Sequence, residues 1–249
     1  MKKGFQPLFD SETVKWKLEN GVLTIKGKGE ISTPNSDPAN RPWYTDNKTI
    51  TKIVIEDGIT RINDTKCFSD LPNLTELELP ETLTYIGTGS FATCPNLKSV
   101  TIPESVVSIS GVVFSNCTGL EKLYIKNRTM TSPTISEWST KPNDVAEYKL
   151  PKNLTVYGYQ YKDDSKTTET DFYKYVKYNN DNENSINKIN FIAYDGENSG
   201  RIGESDTYWS YEDSSKTLTV FGEGQIPSLS NQTGPDGKSG VAPWQNHIN

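Results

Sequence analysis

The stretches LPETLTYIGTGSFATCPNL (residues 79–97) and IPESVVSISGVVFSNCTGL (residues 102–120) lie 23 residues apart and match column by column. The same interval separates Phe68, Phe91 and Phe114, then Leu74, Leu97 and Leu120, then Cys94 and Cys117. A fixed period in the range of roughly 20–50 residues marks a stack of supersecondary units, and three units here keep register. Working outward, Ile50 begins the series one residue early, because the first unit carries one extra residue between Ile62 and Phe68. Each unit opens with a leucine or isoleucine, two variable positions and an apolar-variable-apolar strand: Ile50/Ile53/Ile55, Leu74/Leu77/Leu79, Leu97/Val100/Ile102 and Leu120/Leu123/Ile125. A turn follows (Pro80-Glu81-Thr82, Pro103-Glu104-Ser105), then a second apolar pair, Ile59/Ile62, Leu83/Ile86 or Val106/Ile109. One unit cannot bury its own apolar edge, so neighbours must stack into a core one coil wide, with parallel strands along one face.

These strings resemble the 23-residue, Treponema pallidum type repeats of the BspA-like leucine-rich repeat family of bacterial cell-surface proteins. The apolar columns, the proline after the strand, the phenylalanine and the cysteine carry the resemblance. The first unit departs from it, with Leu71 in the cysteine column and Glu56-Asp57-Gly58 after its strand, as suits an end repeat. The resemblance implies a mainly β fold with short helical or irregular segments, a right-handed leucine-rich-repeat solenoid flanked by β-hairpin caps. It also implies a secreted or surface-attached protein that adheres to host proteins or to other bacteria.

Composition suits a narrow body. Of 249 residues 33% are hydrophobic, and 18 glycines bring the set to about 40%, below the ~45–50% of ordinary globular domains. A net charge of -6 with scattered lysines provides no basic stripe for a nucleic-acid backbone. No segment reaches the ~20 apolar residues of a membrane span, and Met1-Lys2-Lys3 leads into no apolar leader segment. A surface location therefore implies a leader missing from this sequence.

The chain divides into an N-terminal hairpin cap (1–49), a repeat block with an irregular fourth unit and a closing helix and strand (50–194), a linker (195–208) and a second, truncated cap (209–249). WKLENGVLTIKGKGEI, Trp16 to Ile31, is echoed by WSYEDSSKTLTVFGEGQI, Trp209 to Ile226, and Pro42-Trp43 by Pro243-Trp244. Asn20-Gly21 is a two-residue hairpin signal. The first copy runs into the Ile50 strand, so the second copy is expected to precede another block in a longer protein. Residues 127–148 interrupt the pattern, 150–159 resume a strand, 170–178 read as a helix with Phe172 and Val176 on one face, and 188–194 as a final strand.

Catalytic and metal chemistry find little support. No Cys-x-x-Cys pair exists, and the one histidine is His247. Cys94 and Cys117 share a column and are expected as buried free thiols, although the spacing leaves a disulfide open. Gly237-Lys238-Ser239 has Gln232 where a phosphate loop needs its first glycine, and Asp181-Asn182-Glu183 lacks calcium-loop spacing. Glu56, Glu76 and Glu78 are expected near one another, on a face too open to raise a catalytic pKa. No enzyme activity, cofactor or metal is expected.

The ordered surface is the outward strand face. Alternation places Lys52, Glu76, Ser99 and Lys122 in one column and Val54, Glu78, Thr101 and Tyr124 in the next. This mixed face points to a protein partner, a host extracellular-matrix or bacterial surface protein, and to no nucleic acid. One alternative is a glycan-binding or glycan-processing protein using the aromatic patch Tyr157, Tyr159 and Tyr161; another is a spacer within a longer multi-module surface protein.

Overall fold

The computed structural model describes residues 4–9, 11–32, 37–63, 65–110, 112–130, 154–181, 189–195, 199–201, 207–212 and 217–222. The chain opens with β1 (Gln6–Pro7), the hairpin β2 (Lys15–Glu19) and β3 (Val22–Lys26), and β4 (Gly29–Ile31). The coils then contribute two strands each: β5 (Lys52–Ile55) and β6 (Ile59–Ile62), β7 (Glu76–Glu78) and β8 (Tyr85–Ile86), β9 (Ser99–Ile102) and β10 (Ser108–Ile109). There follow β11 (Lys122–Ile125), β12 (Thr155–Gly158), the helix α1 (Asp171–Asp181) and β13 (Asn190–Ala193). Three last strands, β14 (Ser199–Arg201), β15 (Thr207–Glu212) and β16 (Thr217–Gly222), form an antiparallel sheet.

The first strands of the coils stack in parallel as expected, in two sheets ordered β1-β2-β3-β5-β7 and β13-β12-β11-β9. The second apolar pair also forms a parallel ladder, ordered β10-β8-β6-β4, so strands line two faces of the coil. On the third side, backbone bonds such as Phe68 N–H to Ser90 and Phe91 N–H to Val113 tie successive coils without forming strands. Sharp corners there require left-handed backbone in two columns, at Lys66, Gly89 and Val112 (φ 54–61) and at Asp70, Thr93 and Asn116 (φ 57–60). For the β-branched Val112 and Thr93 this conformation is strained, and it is held by the coil-to-coil bonds.

Every residue of the strand pattern from Ile50 to Ile125 is buried except Leu77 and Leu79, which are half-buried against the core. Phe68, Phe91 and Phe114 stack at centroid distances of 5.5 and 5.9 Å. Trp43 extends this column by one rung, 5.5 Å from Phe68 with ring planes 10° apart. The N-terminal segment is thus more than a lid. β3 pairs in parallel with β5, β4 with β6, and Trp43 takes the phenylalanine position, so residues 22–43 supply a coil-like first rung. Gly27 (φ 126) turns this rung, where a Cβ would lie 2.0 Å from the Thr13 carbonyl oxygen; a Cβ on Gly58 would in turn lie 2.3 Å from that of Gly27.

At the other end, β12 and β13 add two further rungs in parallel register with β11. The helix α1 is capped by Thr170, whose hydroxyl accepts the Tyr173 N–H at 3.2 Å, and it buries Phe172 and Val176. Residues 131–153, including most of the polar excursion, lie outside the described residues, as do 223–249 with His247 and Gly237-Lys238-Ser239, and Asn182-Glu183. The segment read as a linker departs from its composition: Ser199–Arg201 pairs with Tyr208–Ser210, because the exposed edge of β15 offers it hydrogen bonds.

Candidate functional site: the outward strand face

The ladder register aligns the predicted columns. Lys52 is paired with Glu76, and Lys122 with both Ser99 and Thr155; Val54 is paired with Glu78, and Tyr124 with Thr101 and Tyr157. Glu76, Glu78, Ser99 and Lys122 are exposed; Lys52, Val54, Thr101 and Tyr124 are half-buried. The two carboxylates do not form an acid/base pair. Lys52 Nζ reaches Glu76 at 3.1 Å and also contacts Glu78, and the bonds to Glu78 and then Glu76 raise its pKa above that of an ordinary lysine. Glu56 is exposed and has no part in this cluster among the described ion pairs. Among the described residues no group of His, Cys, Asp and Glu is arranged to hold a metal ion, and no helix is long and apolar enough to cross a membrane.

Cys67, Cys94 and Cys117 are buried free thiols. Cys117 donates to the Phe91 carbonyl at 3.0 Å, and its hydrogen bond with Cys94, together with burial, holds the Cys94 thiol well above its ordinary pKa. They are packing residues on the third side of the coil, beside the phenylalanine column.

The three tyrosines read as one patch are distributed over two environments. Tyr157 is 6% exposed, stacked on Tyr124 at 4.6 Å and covered by Phe221 at 4.7 Å, and this burial pushes its phenol pKa up. Tyr159 sits edge-on to Tyr194 at 5.1 Å, with the Arg128 guanidinium 4.7 Å from its ring. Tyr161 lies beyond the strand, bridged to Glu169. Asp195 holds this exit: its carboxylate accepts the N–H groups of Gln160 and Tyr161 and pairs with Arg128 at 3.1 Å.

Tyr194, Tyr208 and Phe221, absent from the sequence-based candidates, complete this cluster. Tyr194 stacks on Tyr208 at 4.2 Å, and the second hairpin presses Tyr208 and Phe221 against the end of the strand face. A signal for this existed in the duplication. In the two hairpins Tyr208↔Phe221 occupies the register position of Lys15↔Lys26, one step outside Trp209↔Val220 and Trp16↔Ile25 respectively. Two lysines on the first hairpin become two aromatics on the second, and the aromatics are the side chains that dock. On the first hairpin Lys26 lies over the Phe5 ring at 3.7 Å instead.

Stacked parallel rungs with a leucine-column core and an ordered outward face define a leucine-rich-repeat solenoid. Residues 43–169, just over half of the chain, match the BspA type leucine-rich repeat region in six copies, and the chain belongs to that family. Among solved structures it is similar to a leucine-rich repeat protein from Eubacterium ventriosum (24% identity, 60% of this chain and 42% of that chain, TM-score 0.45) and to the T. pallidum leucine-rich repeat protein (17%, 61% and 71%, 0.39). A leucine-rich cell surface protein from Faecalibacterium prausnitzii is similar at 16% identity over 93% of this chain and 65% of that one, with a TM-score of 0.27. No curated protein matches. The Eubacterium match thus spans less than half of that protein's length.

Proposed function

We propose that the chain is a non-enzymatic interaction protein of the bacterial surface that binds a protein partner through the outward columns of β5, β7, β9 and β11. The observation that carries this reading is the register of those columns. Charged, hydroxyl and aromatic side chains repeat at one rung per ~4.8 Å on a rigid ladder, which suits many small contacts over an extended partner. The Lys52–Glu76–Glu78 cluster supports a binding role over a hydrolytic one, since the ammonium holds both carboxylates ionised on an open face. The docking of the second hairpin onto the far end of the same face favours a secondary role as a spacer that fixes the angle between modules.

The test is a biosensor screen of the full chain against host extracellular-matrix proteins and bacterial surface proteins. Binding weakened about ten-fold or more by Glu78→Lys and by Lys122→Glu, with thermal melting unchanged, supports the reading. Binding indifferent to both substitutions would remove the strand face from the interaction, and a complete absence of binding would leave the spacer role.

A further inference from the structure

The aromatic column on the strand face stops abruptly. Thr101, Tyr124 and Tyr157 occupy successive rungs at one register position. Tyr124 stacks on Tyr157 with ring planes 18° apart, so its opposite face looks along the sheet toward the small side chain of Thr101. At that point a cleft of about 220 Å³ opens between the strands and the second hairpin, lined by Ser99, Thr101, Tyr124, Lys126, Tyr194 and Tyr208. It combines one open ring face with two aliphatic hydroxyls, three phenols and an ammonium.

That combination discriminates between ring-shaped ligands. An aromatic side chain would satisfy the ring face and strip water from the surrounding hydroxyls without replacing it. A pyranose offers a flat C–H face for the ring and a perimeter of hydroxyls that both donate and accept. Ser, Thr and Tyr hydroxyls have one donor and two acceptor sites, and an ammonium has three donors, so groups already bonded within the protein keep capacity for a ligand. The cleft volume accommodates one such ring.

We propose that this cleft is a carbohydrate subsite, seating one pyranose flat against the open face of Tyr124 with its hydroxyls meeting Ser99, Thr101 and Lys126. The second hairpin, through Tyr208, forms its outer wall, so the subsite exists only because that hairpin docks on the strand face. The carbohydrate chemistry thereby belongs to Tyr124 and not to Tyr157 and Tyr159, whose rings are engaged by Phe221 and Tyr194. The proposal is independent of the protein-partner reading, since it concerns a different ligand class and separate substitutions.

Saturation-transfer NMR on the full chain tests it, with the methyl glycosides of glucose, galactose and N-acetylglucosamine as probes and N-acetyl-phenylalaninamide as the aromatic comparison. Saturable transfer to the ring protons of at least one glycoside is expected. Thr101→Phe, which fills the cleft from an outward strand position, and Tyr124→Ala are each expected to weaken it about ten-fold. Lys126→Met, which leaves the aromatic stack in place, is expected to weaken it several-fold and serves if either of the others unfolds. The proposal is overturned if no glycoside binds, if a glycoside binds the folded Thr101→Phe or Lys126→Met chain as well as the parent, or if N-acetyl-phenylalaninamide binds more tightly than every glycoside.

Discussion

Truncating the central phenylalanine separates a one-coil-wide core from an ordinary globular one. Phe91 is fully buried between Phe68 at 5.5 Å and Phe114 at 5.9 Å, so Phe91→Ala opens a cavity and removes two stacked contacts at once. Removing a buried phenylalanine side chain costs about 3–5 kcal/mol, a large share of the ~5–15 kcal/mol that holds a typical domain folded. The sharper quantity is the coupling between rungs. Stacked coils interact only with their neighbours, so a double-mutant cycle on Phe68 and Phe91 should give about 1 kcal/mol of coupling, in the range of a stacked aromatic pair. Phe68 and Phe114, with a whole coil between them, should be additive within about 0.5 kcal/mol. Urea unfolding followed by circular dichroism measures both, provided the denaturant slopes of the variants agree. A loss below about 1 kcal/mol for Phe91→Ala would show that the column is not a packed core. Equal coupling in the adjacent and the separated pair would refute nearest-neighbour stacking as the source of stability.

Two further outcomes follow from the site. Replacing Tyr208 and Phe221 with lysine, as the first hairpin has at these positions, should release the second hairpin from the strand face. Hydrogen exchange should then rise in β15 and β16 while β5 to β11 keep their protection, and unchanged exchange in the hairpin would mean that the aromatics do not hold it. The three buried thiols should resist alkylation in the folded chain and react fully in denaturant, as inert packing cysteines do; rapid labelling of Cys94 under native conditions would contradict its raised pKa.

The repeat was legible because each coil solves the same packing problem, so Phe68, Phe91 and Phe114, or Leu74, Leu97 and Leu120, had to recur at one interval. The strand columns could be read by two-residue alternation alone, since pleating sends alternate side chains to opposite faces. The second parallel ladder was harder to see. β8 and β10 are two residues long and carry a single apolar alternation each, too short a signal to distinguish a strand from a turn. Trp43 as a rung of the phenylalanine column was hidden by its 25-residue distance from Phe68, longer than the period. Ser199–Arg201 has the glycine and serine of a linker, and pairing with β15 overrides that composition.

What the sequence determined by itself is everything that repeats: the solenoid, its buried columns, the free cysteines in one of them and the outward face of Lys52, Glu76, Ser99 and Lys122 beside Val54, Glu78, Thr101 and Tyr124. What only the tertiary structure decided is where that face ends. Tyr157, Tyr194, Tyr208 and Phe221 come from four separate segments, and no local period links them. They meet because the second hairpin folds back over β12, burying aromatic surface that would otherwise face water. That long-range contact turns a run of tyrosines into a wall, and leaves Tyr124 with one open ring face.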